Sequence, residues 1–160
     1  KDSSKVRKDK GSLVLLWVSI TLCFTLGFIF ASYGKWGLEE YVIYCIGLFV
    51  VLLGFIIRWV SILQLKKAFT VDVAFSVEQN LKTDGMYKVI RHPSYLGLLM
   101  IMLGFSISMN SLVSIALIIM PMLIGIHYRI VVEEKVLTDE YGDAYKCYKT
   151  TTKRLVPWVY

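Results

Sequence analysis

Four apolar blocks, at residues 13–32, 41–65, 93–109 and 112–132, decide most of what this 160-residue chain can become. A helix rises ~1.5 Å per residue and the hydrocarbon core of a bilayer is roughly 30 Å thick, so blocks of this length predict membrane-spanning helices. Hydrophobic residues make up 56% of the chain and are gathered into these runs, whereas a soluble domain disperses them. The first block is long for the core of a signal peptide, lacks a small-x-small cleavage site and is followed by another span, so it reads as a retained helix. The expectation is an all-α integral membrane protein with about four transmembrane helices, organised as a single domain over 1–160.

The formal net charge of +6 takes its meaning from where the cations stand. Lys1, Lys5, Arg7, Lys8 and Lys10 precede the first block. Lys66 and Lys67 follow the second, with Lys82, Lys88 and Arg91 further along the same loop. Lys135, Lys146, Lys149, Lys153 and Arg154 follow the fourth, and only Lys35 lies between the first two. This is the positive-inside pattern, and it predicts cytoplasmic N- and C-termini. The cations flank spans and form no separate basic domain, which argues against nucleic acid as a partner and leaves the bilayer, with a secondary attraction to anionic headgroups. Cys23 and Cys45 fall in apolar blocks and read as small buried hydrophobes. Cys147 lies in the basic tail, and no disulfide framework is suggested.

Local signals divide the chain further. Gly34 and Gly37 predict a tight outer hairpin, and Asn110-Ser111 separates the third block from the fourth. Pro93 suits a first helical turn, where its missing N–H has no partner, and Pro121 predicts a kink or a break inside the fourth helix. In the long polar segment between the second and third blocks, Val71, Val73 and Phe75 alternate as in an extended stretch, and Thr83-Asp84-Gly85 reads as a turn. Val136, Leu137, Tyr141, Tyr145 and Tyr148 have helix-compatible spacing, so the fourth helix is expected to continue past the membrane or along its surface.

Several chemistries are absent from the sequence. It has no phosphate-binding loop, no GxGxxG after a strand, no serine elbow and no His, Cys or carboxylate set in metal-ligand spacing, so no metal is expected. Two polar clusters remain at the inner membrane boundary. One runs from Gly85 to Gly97 and includes Arg91, His92, Pro93 and Tyr95. The other is Arg129 with Glu133 and Glu134. Arg129 and Glu133 are four apart and share a helix face, while Glu134 points about 100° away. On spacing alone both clusters also fit a helix start with interfacial aromatics and an ordinary ion pair at a helix exit. Arg58 reads as a cation reaching for the interface.

Taken together, Leu81-Lys82-Thr83-Asp84-Gly85-Met86-Tyr87, then Arg91-His92-Pro93-Ser94-Tyr95-Leu96-Gly97, then Arg129 with Glu133-Glu134 resemble the isoprenylcysteine carboxyl methyltransferases and their phospholipid-methyltransferase relatives. Tyr141-Gly142, Tyr145, Tyr148, Arg154 and Pro157 continue the resemblance, which covers residues 79–157 in order and spacing. Gln79 stands where the family usually has His, Lys82 replaces a usual Val and Met86 a common Pro.

The resemblance implies methyl transfer from S-adenosylmethionine, leaving S-adenosylhomocysteine, to a lipidic or membrane-partitioned small-molecule acceptor at the cytoplasmic leaflet. A carboxylate of isoprenylcysteine type is the default acceptor. N- or S-methylation of a headgroup, amine or thiol is the alternative, and a non-catalytic scaffold is the third. By the same implication Arg129 holds the acceptor carboxylate and Glu133 positions Arg129 or faces the cofactor. Gln79, Leu81, Gly85, Tyr87, His92, Pro93, Tyr95, Leu96 and Glu134 bind the cofactor within the regions 79–97 and 129–157, and the C-terminal segment covers it as a lid.

Overall fold

The computed structural model describes residues 10–35, 39–65 and 81–156. Among them run five α-helices: α1 (Lys10–Ile29), α2 (Glu40–Leu65), α3 (Pro93–Ser108), α4 (Leu112–Tyr141) and α5 (Asp143–Thr151). A 3-10 turn, Gly85–Lys88, stands between α2 and α3, and β structure among the described residues is limited to the bridges Lys35–Ser111 and Ile90–Lys153. Gln79, Pro157, the expected extended stretch at Val71, Val73 and Phe75, and Gly37 of the outer hairpin lie outside the described residues.

The helices alternate in direction and neighbour one another in the order α1, α4, α3, α2. α2 and α3 meet backbone to backbone at two levels. A Cβ built on Gly97 would stand 2.7 Å from both Gly54 O and Arg58 N, and one on Gly104 would stand 2.5 Å from Gly47 O. Gly47 and Gly54 are seven apart, as are Gly97 and Gly104, so both contacts fall on one seam two turns long. α1 packs against α4, where Ser114 Oγ donates to Gly27 O at 2.8 Å. Between them is the core of Leu16, Cys23, Met102, Ile118, Met122, Ile126, Ile130 and Leu155.

By length and composition α2 and α4 can each cross a membrane, while Leu16–Ile29 and Pro93–Ser108 are shorter apolar helices. The buried positions of α2 are Ile43, Gly47, Gly54 and Ser61, mostly small, while Phe49, Leu52, Phe55, Ile56, Trp59 and Leu63 point outward. Bulky apolar residues outside and small ones inside fit a lipid solvent, which gives no reward for burying a large side chain. The same reason corrects one expectation. Cys23 is buried, but Cys45 is exposed, on a surface where an apolar residue needs no cover.

Pro93 occupies the first turn of α3 as expected. Ser111 caps α4 by accepting from Ser114 N at 3.1 Å. The break considered at Pro121 does not occur: α4 is continuous from Leu112 to Tyr141. Proline removes a single helix bond there, and the fully buried Ile118 and Met122 hold the turns on either side. The helix stops at Gly142, whose φ of 55° and ψ of −125° favour glycine, and α5 then turns back.

Candidate active site

The site lies at the end of the bundle where α2 and α4 finish and α3 begins. Its first wall is the turn after residue 81. Gly85 takes φ +61, and Met86 N–H donates to Gln64 Oε1 of α2 at 2.9 Å. Tyr87 is buried. Its hydroxyl donates to Ser61 O at 3.4 Å, and its carbonyl accepts from the Tyr148 hydroxyl at 2.5 Å. Leu81, at the start of this wall, is half-buried.

Residues 89–92 then run beside 153–154. Lys153 N donates to Val89 O at 3.2 Å, Arg91 N to Lys153 O at 2.7 Å, and His92 N to Arg154 O at 3.0 Å. This pairing delivers the Arg91 side chain to Glu134 of α4. Arg91 Nε donates to Glu134 Oε1 at 3.0 Å, Arg154 Nη2 donates to Glu134 Oε2 at 3.1 Å, and Lys149 Nζ lies 3.3 Å from Oε2. Both oxygens of Glu134, whose side chain is 4% exposed, are therefore committed to protein cations.

Glu133 faces elsewhere, as one helical step of about 100° requires. Its Oε2 accepts from the Tyr95 hydroxyl at 2.7 Å, and that hydroxyl accepts from Arg129 Nε at 3.2 Å. His92 Nδ1 lies 3.9 Å from Glu133 Oε1. Arg129 is 3% exposed, whereas the Glu133 side chain is 26% exposed and is the more open of the two carboxylates.

Of the expected site residues, His92, Tyr95, Arg129, Glu133 and Glu134 come together. Pro93 is buried at the foot of α3, and Leu96 packs on the core. Tyr87 and Gly85 support the site through α2 and α5. Arg58 Nη1 donates to Ser94 O at 3.1 Å and to Ser94 Oγ at 3.2 Å, bracing the first turn of α3. Arg91 is the residue whose weight the sequence did not reveal. The available signal was the Glu-Glu pair, whose two faces need separate partners, and Arg91 and Arg154 were the motif cations left to supply one.

Two buried polar atoms at this end have no hydrogen-bond partner among the described residues. They are His92 Nε2, 3.6 Å from Glu134 Oε1, and the Tyr145 hydroxyl. Burial, then the neighbouring Glu134 carboxylate, pushes the Tyr145 phenol up, and burial followed by Glu133 does the same to Tyr87. Burial pushes Tyr148 up to about 12. All three stay neutral hydrogen-bond donors near neutral pH. No group of three or more possible metal ligands occurs among the described residues.

A family model described as phospholipid methyltransferase matches residues 42–144, which include every member of the His92, Tyr95, Arg129, Glu133 and Glu134 cluster. A protein-S-isoprenylcysteine O-methyltransferase of Schizosaccharomyces pombe is 30% identical over 109 residues, covering 67% of this chain and 46% of that protein. Protein-S-isoprenylcysteine O-methyltransferase A of Arabidopsis thaliana is 30% identical over 115 residues, covering 71% of this chain and 58% of its own. The chain thus spans about half the length of these relatives. The solved structure of the eukaryotic intramembrane Ras methyltransferase, isoprenylcysteine carboxyl methyltransferase, matches with a TM-score of 0.68 at 24% identity, over 99% of this chain and 55% of that one, and shares the fold. With its matched segment enclosing the whole polar cluster, this chain belongs to the phospholipid methyltransferase family.

Proposed function

We propose that the chain transfers the methyl group of S-adenosylmethionine to a lipidic acceptor, a carboxylate of isoprenylcysteine type, at the cytoplasmic leaflet of a membrane crossed by four helices. The observation that carries this reading is the Arg129–Tyr95–Glu133 chain beside His92. It sets a fixed cation and a partly open carboxylate a few ångströms apart, where α3 and α4 meet the bilayer edge. The names of the relatives support the acceptor class.

The residues present suit such a donor, which carries an ammonium, a sulfonium and a carboxylate. Glu133 is the carboxylate with exposure to spare, and His92 Nε2 and the Tyr145 hydroxyl have no hydrogen-bond partner among the described residues. When bound, S-adenosylmethionine supplies a methyl carbon that is already electrophilic. An acceptor carboxylate is ionised at neutral pH, so no side chain has to remove a proton. Arg129 holds that carboxylate, Tyr95 fixes the guanidinium, and the buried walls exclude water, leaving alignment as the chief contribution of the protein. Glu134 serves the cofactor pocket indirectly, by holding the 89–92 segment and the C-terminal segment together.

The phospholipid-methyltransferase match favours a second reading, methylation of an amine headgroup. That acceptor needs a base, and Glu133 is the candidate.

Calorimetry in detergent tests the donor. Micromolar S-adenosylmethionine binding that is lost in Glu133→Ala and His92→Ala supports methyl transfer, and no binding to the folded protein leaves a scaffold. Incubating membranes with labelled donor and treating the products with base tests the acceptor. A methyl ester releases volatile methanol, and a methylated amine retains the label.

A further inference from the structure

Arg91 joins three parts of the chain that are far apart in sequence. Its Nε donates to Glu134 Oε1 on α4 at 3.0 Å. Its Nη1 donates to Lys149 O at 3.1 Å and to the carbonyl and hydroxyl oxygens of Thr152, all at the end of α5. Its own backbone donates to Lys153 O. The strap so held, residues 143–155, begins at the Gly142 hinge, where a Cβ would meet nothing within 4 Å. Its inward face carries the buried Tyr145 hydroxyl, which has no hydrogen-bond partner among the described residues. A strap that buries an unsatisfied donor close to two carboxylates loses free energy unless something polar sits beneath it.

We propose that Arg91 is a positioning residue that pins this strap over the bound methyl donor, so that opening of the strap sets how fast the donor leaves. The inference rests on the reading of the site as a donor pocket. The chemistry requires arginine. One planar fork reaches Glu134 with one nitrogen and two carbonyls with another, which the single nitrogen of lysine cannot do at once. Breaking the fork loosens the strap between the Gly142 hinge and Thr152, where Tyr148, Lys149 and Arg154 still tie it, and leaves α2, α3 and their glycine seam intact.

The test compares the full chain with Arg91→Ala and Arg91→Lys in detergent. Hydrogen exchange in peptides from 143–155 should quicken by about tenfold or more in Arg91→Ala and by less in Arg91→Lys, with α2 and α3 unchanged. Labelled S-adenosylmethionine should dissociate from preloaded protein faster by a similar factor. Unchanged strap exchange in both variants overturns the pin, and a loosened strap with wild-type dissociation overturns the control of release. If Arg91→Ala does not fold, Arg91→Lys together with Tyr148→Phe, which removes the strap's bond to Tyr87 O, decides the same question. If the wild-type chain binds no S-adenosylmethionine, the donor reading fails, and the exchange comparison still decides whether Arg91 holds the strap.

Discussion

Tyr95 gives its hydroxyl hydrogen to Glu133 across 2.7 Å while accepting one from Arg129 at 3.2 Å, so a single phenol links α3 to two charged residues of α4. Tyr95→Phe keeps the ring and removes the link. Hydrogen bonds to charged groups contribute about 1.5–3 kcal/mol, which corresponds to a fall in kcat/KM of roughly tenfold to over a hundredfold if orientation of Arg129 is what Tyr95 supplies. Labelled methyl transfer to a prenylcysteine carboxylate measures it. A rate within twofold of wild type would remove Tyr95 from the proposed mechanism.

Glu134 has a different task. Replacing it with Ala leaves Arg91 facing a buried space without its carboxylate, and breaking a buried pair in this way costs about 3–5 kcal/mol. The melting temperature in detergent should fall clearly in Glu134→Ala. It should fall less in Glu134→Gln, which keeps acceptor oxygen but no charge. Equal melting of all three proteins would show that the cluster adds nothing to stability.

Glycines at the two seams should respond in opposite ways. Gly97→Ala puts a methyl 2.7 Å from two backbone atoms of α2, Gly54 O and Arg58 N, so α2 and α3 must separate, at about 1–3 kcal/mol for overpacking. Gly125→Ala has its nearest neighbour, Leu16 Cδ1, at 3.8 Å and should be tolerated. Thermal unfolding of the two variants side by side checks the contrast, and a harmless Gly97→Ala would deny the close seam.

The buried phenols predict an alkaline limit. A folded-state pKa above the ordinary value near 10 means that the folded chain holds the proton more tightly than the unfolded one. The contribution is therefore fully present below about pH 10, and for Tyr148 it is lost as pH rises toward about 12. Unfolding temperature should decline over that range, and Tyr148→Phe should flatten the decline. A parallel decline in the variant would assign the effect to other groups.

The apolar blocks placed α1, α2 and α3 and the start of α4 to within a few residues because lipid demands continuous runs, and Pro93 placed the start of α3 because a first turn accommodates it. The separation of Glu133 from Glu134 was equally legible, since adjacent helical residues cannot share a face. What stayed hidden was the choice of partners. Arg91 and Glu134 are 43 residues apart, and nothing local distinguishes a cation that reaches back across a loop from one that faces water. The division of the last helix into α4 and α5 was signalled by Gly142. A continuous spacing of apolar residues on either side concealed it, because the phase of the pattern survives the turn.

The glycine seam between α2 and α3 has a mechanical consequence. Two helices in backbone contact at two levels, braced again by Arg58 on Ser94, tilt as one body when bilayer thickness changes. Tyr95 travels with that body and Arg129 with the other, so compliance collects in the gap between them. A change in hydrophobic thickness that tilts this body against α1 and α4 would act first on the 3.2 Å contact between Tyr95 and Arg129.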